Sequence, residues 1–338
     1  MKKAVCILAA VLMLLTGCTG KEKQSKYTAT YLDVFDTVTT IVGVAQDQES
    51  FNRQAQAIHA QLLEYHRLFD IYNTYDGIAN LKTVNDNAGI APVQVDSRII
   101  ALLRSCKEYY ALTDGKVNVA MGSVLRLWHE KRTQALSDPA SAQLPDRASL
   151  EAAAQHRDIA CVILDEEAST VYISDPLLQL DVGAVAKGWA VQQVAKYAPE
   201  GLLISVGGNV CATGPKAPDD PWVIGIQDPA GDTGSYLRTL PLSTGSAVTS
   251  GSYQRTYEVN GKAYHHIIDP QSLMPSAYWC SVTVICDDSG LADALSTALF
   301  LLPIEQGQAL AQKCGVQVLW LSSTGEEFMT PGLAELCK

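Results

Sequence analysis

The sequence lacks the positive charge that nucleic-acid-binding proteins carry. Its 25 lysine and arginine residues are outnumbered by 36 aspartate and glutamate residues, which gives a formal net charge of −11. An acidic surface repels a phosphate backbone, so the composition excludes nucleic acid as a partner. It also repels a polyphosphate ligand at long range, and such a ligand would need a cation close to its binding site.

The sequence also lacks CxxC pairs, so it gives no sign of a zinc or redox site. Two of its nine cysteines, Cys6 and Cys18, belong to the N-terminal segment, which leaves seven. An odd number of cysteines in mostly apolar surroundings is not typical of a disulfide framework. We expect most of them to be buried thiols that act as small apolar residues.

Long apolar runs are absent beyond the N-terminus. The run at 4–15 follows Lys2 and Lys3 and is too short to span a bilayer, which is typical of a signal peptide. The next residues, Leu-Thr-Gly-Cys at 15–18, resemble the lipobox of bacterial lipoproteins, whose cysteine thiol receives lipid, palmitate included. An ordinary signal peptide with a chance cysteine is the alternative.

The N-terminus therefore predicts three segments. They are a lipoprotein signal peptide at 1–17, a lipidated Cys18 with a polar tether at 18–28, and the functional domain at 29–338. Such a chain would be lipid-anchored at the outer face of the cytoplasmic membrane.

The domain is long enough for one large or two intimate domains with a sizeable core. Periodicity predicts helices at 46–69, 96–113, 121–130, 149–155, 188–197 and 292–302. Short strands alternate with turns elsewhere, including 31–44, 178–182 and 315–322, and Asn260-Gly261 is a strong hairpin turn. Strands paired through hairpins with helices between them favour an α+β fold.

The segment LDVGAVAKGWA at 180–190 looks like a phosphate-binding turn. Gly183 and Gly188 have the separation of the two P-loop glycines, but Lys187 precedes the second glycine instead of following it. The segment is not a Rossmann fingerprint either. On its own it is as well explained by a tight turn that leads into a helix.

The segment SGLADALSTALF at 289–300 is a predicted helix in which Asp293 and Thr297 share a face. A carboxylate and a hydroxyl one turn apart are hard oxygen ligands that suit Mg²⁺. The alternative is an acid favoured by the helix dipole together with a packed threonine.

Other segments are weaker when taken singly. In KAYHHIIDP, at 262–270, a strand would point His265 and His266 to opposite faces. Thr249, Ser250 and Gly251 in AVTSGSY look like a ligand-binding loop, or only a loop. Tyr72 and Trp128 supply aromatic surface, for which core packing is the better explanation.

In this order, the segments resemble the FAD:protein FMN transferase family, the ApbE-like flavin transferases. The resemblance covers about 34–303 and rests on LDVGAVAKGWA, LLISVGGNVCATG, AVTSGSY, YHHIIDP and SVTVICDDSGLADALSTALFLL. It implies an ApbE-like α+β fold with mixed or antiparallel sheets and packed helices, and an active site in a cleft between two intimate subdomains. It also implies an enzyme that uses Mg²⁺ to split FAD, transfers FMN to a threonine of a partner protein through a phosphoester, and releases AMP.

The resemblance also implies roles for individual residues. The metal would be held by the carbonyl of Ala184 and by Asp293 and Thr297. The predicted FAD contacts are Phe35, Tyr72, Lys116, Val117, Asn118, Asp181, Lys187 and Ile268. We predict His266 as the base that activates the acceptor threonine, with Asp293 essential to turnover. The acceptors that the resemblance implies are membrane flavoproteins of ion-pumping or electron-transfer complexes.

The chain departs from the family pattern at several positions. Phe35-Asp36-Thr37 stands where Met-Gly-Thr is usual, and Asn118 and Asn209 stand where aspartate is common. Leu273 replaces a glycine, and a bulky residue resists a turn with positive φ. Two other functions share these features, an FAD pyrophosphatase that yields FMN and AMP, and a flavin-binding lipoprotein without catalysis.

Overall fold

The computed structural model describes residues 25–232 and 234–337. The predicted signal peptide (1–17) and the predicted lipidated Cys18 lie outside the described residues. The first strand begins at Ser25 and pairs with the second from that residue onward. Residues 25–28, which we assigned to the tether, therefore belong to a sheet.

The helices and strands are numbered here in chain order. The helices are α1 (Gln48–Phe69), α2 (Leu81–Asp86), α3 (Ser97–Leu112), α4 (Gly122–Ser137), α5 (Arg147–Ala153), α6 (Ala186–Ala195), α7 (Ser289–Phe300), α8 (Ile304–Cys314) and α9 (Pro331–Leu336). The strands are β1 (Ser25–Val34), β2 (Thr37–Ala45), β3 (Val93–Gln94), β4 (Val162–Asp165), β5 (Thr170–Ile173), β6 (Leu202–Val206), β7 (Asn209–Ala212), β8 (Trp222–Gln227), β9 (Tyr236–Leu242), β10 (Gly245–Gly251), β11 (Tyr257–Val259), β12 (Lys262–Tyr264), β13 (Ser281–Cys286), β14 (Gln317–Leu321) and β15 (Glu327–Met329).

Eight strands form one large sheet in the order β1-β2-β6-β7-β10-β13-β14-β15. Its neighbouring strands pair antiparallel throughout. Smaller antiparallel sheets are formed by β3-β5-β4, by β8-β9 and by β11-β12. The predicted α+β fold with antiparallel sheets and packed helices is confirmed.

The prediction of a single strand at 31–44 was wrong, because the chain turns back at Phe35 and Asp36. Both residues have positive φ, 53° and 50°, and they form a two-residue turn between paired Val34 and Thr37. Such turns favour glycine and asparagine, so a Phe-Asp turn gives little sequence signal. The Phe35 N–H donates to Nδ1 of His66 (3.2 Å), which supports the unusual backbone.

The first helices follow their predicted periodicity closely. In α1, Asp47 caps the helix by accepting from the N–H of Ser50 (2.7 Å), and its apolar face is buried. In α3, Asp96 caps the start, and the positive φ of Asp114 and Gly115 follows its end. The helix predicted at 121–130 is longer than expected and continues as α4 to Ser137.

Helices α6 and α7 pack so closely that their contact needs a glycine. A Cβ at Gly188 would lie 2.3 Å from the carbonyl oxygen of Ser289 and 2.4 Å from Cβ of Asp293. Helix α7 is almost wholly buried and also packs against β10 and β13. The contact therefore brings the middle of α7 to the first turn of α6.

Helix α4 packs against the β11–β12 hairpin. The ring of Trp128 lies near those of Tyr257 and Tyr264, with centroids 6.5 and 6.3 Å away. The predicted Asn260-Gly261 turn connects the hairpin. Leu273, which we expected to resist a positive φ, adopts φ 63° with its side chain buried, and its carbonyl accepts from Nε1 of Trp128 (3.1 Å).

Seven cysteines lie in the described part of the chain, and all are free. Only Cys106 and Cys211 are buried, and the other five are half-buried, so fewer thiols are buried than we expected. Among the described residues, no helix combines the length and apolarity needed to cross a bilayer.

Candidate active site

A cavity of ≈ 400 Å³ is lined by residues from distant parts of the chain. They come from the turn between β1 and β2, from β2, β7, β10, α6 and α7, and from α4 and the β11–β12 hairpin. All residues that we predicted for the site line it, namely Phe35, Tyr72, Lys116, Val117, Asn118, Asp181, Ala184, Lys187, His266, Ile268, Asp293 and Thr297. The fold thus brings together side chains that lie up to 262 positions apart, while their roles stay predictions.

The glycine-containing turn forms one corner of the cavity. Residues 178–182, predicted as a strand, are not part of a sheet; instead, Leu180 exchanges two hydrogen bonds with the side chain of Asn85 (2.7 and 3.0 Å). The chain then turns at 183–185 into α6. The N–H of Gly183 donates to Oδ1 of Asp181 (2.8 Å), and burial raises the pKa of this carboxyl group above its usual value.

Asp293 reaches the same corner from α7 and is 4% exposed. Its Oδ2 accepts from the N–H of Gly188 (2.8 Å) and from Nδ2 of Asn209 (2.9 Å). The ammonium of Lys187 lies 3.6 Å from the same oxygen. Lys187 therefore makes its ion pair with Asp293.

Hydroxyl groups line the cavity beside Asp293. Thr297 lies one turn further along α7, with its Oγ1 3.5 Å from Oγ of Ser250. Ser250 also contacts Oγ of Ser296 at 2.8 Å. Thr249 and Ser250 belong to strand β10 rather than to the loop that we predicted, so the sheet holds these hydroxyls in place.

The donors at this corner fit Mg²⁺. A carboxylate, a hydroxyl and the carbonyl of Ala184 line one cavity, and oxygen donors of this kind are what the ion prefers. No cluster of three or more histidine, cysteine or acidic residues that could hold a metal occurs in 25–232 and 234–337. A single carboxylate leaves most of the ion's charge for a phosphate ligand, which fits a diphosphate substrate better than a closed structural site.

Both histidines of the predicted pair line the cavity, because β12 ends at Tyr264 before either of them. The expectation that a strand separates them was wrong. Nε2 of His265 donates to the carbonyl of Ser276 (2.7 Å), and its Nδ1 accepts from the N–H of Ile267 (3.2 Å). Both ring nitrogens of His265 are therefore occupied by backbone groups, which indicates a structural role.

His266 differs from its neighbour in having one nitrogen available. Its Nδ1 lies 3.2 Å from the carbonyl of Gln254, and a carbonyl only accepts, so this nitrogen carries the proton. Nε2 then keeps its lone pair for an incoming proton. His266 is exposed to solvent within the open cavity. Partial desolvation by the surrounding protein and the positive charge of Arg255 lower the pKa of His266 to about 3.

Other predicted FAD contacts also line the cavity. Lys116 pairs with Asp269 (3.4 Å), while Val117 and Ile268 are buried at the cavity surface. The ring of Tyr72 packs on His129 with centroids 5.4 Å apart, and Phe35 meets His66 edge to face.

The sequence of this chain is similar to that of known flavin transferases. A model described as the ApbE family matches residues 35–320. The chain belongs to the ApbE family. A curated relative, the FAD:protein FMN transferase of Klebsiella pneumoniae (strain 342), is 32% identical over 76% of this chain and 81% of its own. The FAD:protein FMN transferase of Treponema pallidum (strain Nichols) is 31% identical over 94% of this chain and 89% of its own.

Solved ApbE structures share the fold. The ApbE protein of Thermotoga maritima matches with a TM-score of 0.81 and 27% identity, covering 92% of this chain and 99% of that one. The flavin transferase ApbE of Vibrio cholerae matches with a TM-score of 0.76 and 23% identity over 93% of this chain, which supports the fold alone. The resemblance inferred from the sequence is confirmed.

Departures from the ApbE family pattern have local explanations. Asn209 is placed by a tight turn at Gly207 and Gly208, both with positive φ, and its amide donates to Asp293. An aspartate there would need a proton to make the same contact. The side chain of Asn118 accepts from the N–H of Ala120 (2.9 Å) and donates to a backbone carbonyl, so it holds the cavity lining in place.

Two arginines of this ApbE family member escaped the sequence analysis. Arg132 on α4 and Arg255 after β10 both line the cavity. Within 25–232 and 234–337, no carboxylate lies within 4.0 Å of either guanidinium. Burial and the nearby charge of Arg255 lower the pKa of Arg132. The two residues are 123 positions apart, and no motif joins them, so only the fold reveals this positive region.

Proposed function

We propose that this chain transfers FMN from FAD to a threonine hydroxyl of a partner flavoprotein, with Mg²⁺, and releases AMP. The observation that carries the proposal is one cavity that combines an oxygen-lined corner at Asp293 with a histidine, His266, whose Nε2 is available. The names of the relatives, FAD:protein FMN transferase, support the transfer of FMN from FAD.

Asp293, Thr297 and the carbonyl of Ala184 would hold the metal ion. When bound, the ion polarises the phosphate groups and stabilises the negative charge of the leaving AMP. Lys187 provides a second positive charge beside the diphosphate. Arg132 and Arg255 offset aspartates of the cavity lining and would supply positive charge close to the bound anion.

In the transfer step, the acceptor threonine Oγ attacks the flavin-side phosphorus of FAD. A phosphoester bond forms to the threonine, the P–O bond to the AMP phosphate breaks, and the threonine proton passes to Nε2 of His266. Threonine is a poor nucleophile at neutral pH, so a positioned and uncharged base is needed. His266 is uncharged at neutral pH, and the negative charge of a bound diphosphate would raise its pKa from about 3 and so strengthen it as a base.

A hydrolase in which water replaces threonine would use the same metal corner, and a non-catalytic flavin-binding protein would use the same cavity. Mass spectrometry distinguishes the three after incubation with FAD, Mg²⁺ and an acceptor domain. An acceptor heavier by FMN supports the transferase. Free FMN and AMP with an unmodified acceptor would identify a hydrolase, and unchanged FAD a binding protein.

Asp293→Ala tests the metal assignment directly. It removes the carboxylate from the corner, so we expect turnover and metal binding to be lost together. Transfer at near wild-type rate by this variant would refute the assignment.

We further propose that Cys18 is lipidated and that the chain is anchored at the outer face of the cytoplasmic membrane. The lipobox-like sequence at 15–18 supports this location. Its acceptors would be membrane flavoproteins of ion-pumping or electron-transfer complexes exposed on the same side. Cys18→Ala should move the protein from the membrane to the soluble fraction, and an unchanged membrane fraction would argue against the anchor.

A further inference from the structure

Lys187 has an unusual position for a residue expected to bind a phosphate. Its ammonium lies 3.1 Å from the carbonyl oxygen of Gly183, where it donates a hydrogen bond. The same group lies 3.6 Å from Oδ2 of Asp293. Lys187 therefore joins the glycine corner to the carboxylate that the proposed function assigns to the metal.

The carboxylate of Asp293 is already well stabilised by this chain. Oδ2 accepts from Gly188 N–H at 2.8 Å and from Asn209 Nδ2 at 2.9 Å, in addition to the nearby ammonium. The Lys187 side chain is 22% exposed and that of Asp293 5%, so water screens the pair only partly. A metal ion that binds this carboxylate has a positive charge as a close neighbour.

We propose that Lys187 opposes metal binding at Asp293 until a diphosphate enters the cavity, and so makes metal and FAD binding cooperative. This inference rests on the proposed function, since it takes Asp293 as a metal ligand. Two like charges within a few ångströms repel, and the repulsion is substantial in a partly buried site. The dianionic diphosphate attracts both the metal ion and the Lys187 ammonium, and thereby offsets their mutual repulsion.

The consequence is a thermodynamic coupling. If diphosphate raises the affinity for the metal, the metal raises the affinity for diphosphate by the same factor. Lys187 contributes to that factor because its positive charge disfavours a metal ion bound alone. Once the diphosphate is bound as well, its negative charge offsets this repulsion. It is thus a positioning residue that favours joint occupancy over a metal bound without substrate.

Lys187→Met tests the inference, because methionine keeps the length of the side chain and removes its charge. Mn²⁺ binding to the whole protein without nucleotide, measured by electron paramagnetic resonance, should become at least about tenfold tighter. ADP serves as the diphosphate probe, and its affinity with Mg²⁺ absent should fall. The factor by which Mg²⁺ tightens ADP binding should shrink by about tenfold relative to wild type.

Matched variants separate the possible failures. Lys116→Met removes another cavity lysine, one paired with Asp269, and should leave Mn²⁺ affinity unchanged. Asp293→Asn should abolish Mn²⁺ binding, and unchanged binding would refute the metal site itself. If Asp293→Asn loses the metal while folded Lys187→Met binds it no more tightly than wild type, the coupling role of Lys187 is refuted and the proposed function stands.

Discussion

At the residue scale, Leu273 shows how burial stabilises a conformation that its side chain disfavours. Its φ of 63° lies in the left-handed region, yet the side chain is 4% exposed and the N–H donates to the carbonyl of Asp269 (2.8 Å). Leu273→Ala loses the buried side chain and keeps the strain, so we expect it to destabilise the fold by about 2–5 kcal/mol. Leu273→Gly relieves the strain and should be more stable than the alanine variant by roughly 1 kcal/mol.

Urea unfolding of both variants measures the difference. Leu150, buried in helix α5 and part of the same hydrophobic cluster, is the control. At Leu150 the order of stability should reverse. The glycine variant should be about 1 kcal/mol less stable than the alanine variant, because the backbone there is helical. An alanine variant at Leu273 as stable as the glycine variant would contradict the argument from strain.

His266 gives a second prediction at this scale. The pKa of His266 is lowered from 6.5 to about 3 by partial desolvation within the cavity and by Arg255, so the folded protein binds this proton less readily than the unfolded chain. The stability contributed by neutral His266 is present above pH 6.5 and is lost as the pH falls from there toward 3. His266→Ala should therefore lose less stability than wild type between pH 7 and 4, as measured by denaturant unfolding.

The same substitution separates catalysis from binding. We expect His266→Ala to lose FMN transfer while FAD binding is retained, because Nε2 takes a proton and does not hold the cofactor in our proposal. His265→Ala should instead destabilise the protein, since both of its ring nitrogens bond the backbone. Equal loss of transfer and FAD affinity in His266→Ala would make it a binding or packing residue.

At the scale of elements, the contact between α6 and α7 decides the geometry of the metal corner. Gly188→Ala would place a methyl group 2.3 Å from the Ser289 carbonyl oxygen, so the helices must separate. We expect a loss of about 1–3 kcal/mol in unfolding free energy and weaker Mn²⁺ binding, because Asp293 moves with α7. Gln193→Ala, on the same helix, should change stability by less than about 0.5 kcal/mol, and a similar small effect at Gly188 would contradict the close contact.

Elements were predictable where the local pattern agreed with the final packing. The apolar spacing predicted α1 and α3 almost to the residue, and Asn260-Gly261 predicted the β11–β12 turn. The turn at Phe35 and Asp36 was missed because neither residue prefers positive φ, and tertiary contacts hold it there.

The site was predictable to the extent that motifs carried it. The glycine corner and the α7 pair are each contiguous in sequence, and the family resemblance joined them. Asn209 was noticed only as a departure, because its contact with Asp293 depends on the register of β7 beside α7. Arg132 and Arg255 gave no sequence signal, because only the packing of α4 against the β11–β12 hairpin brings them to the same cavity.

At the scale of the whole molecule, the cavity is less acidic than the rest of the chain. The chain carries −11 overall, whereas lysines and arginines balance the aspartates of the cavity lining, which are Lys116, Arg132, Lys187 and Arg255 against Asp36, Asp70, Asp181 and Asp293. An anionic substrate is thus repelled by the molecule at long range and attracted at close range. Surface charges more than about 10 Å from the bound anion are already largely screened at about 0.1 M salt, so further salt acts mainly on the attraction within the cavity.

The local attraction predicts how FAD binding responds to salt. Raising NaCl from about 50 to about 500 mM should weaken FAD binding several-fold in wild type, which flavin fluorescence measures. A variant carrying Arg132→Gln and Arg255→Gln should bind FAD more weakly at low salt and show a shallower salt dependence. Arg104→Gln is the control, because that surface arginine is paired with Glu166 (3.0 Å) outside the cavity and should leave both quantities unchanged. An unchanged salt dependence in the double variant would mean that the two arginines do not act on the bound anion, and that Lys187 and the metal corner alone offset its charge.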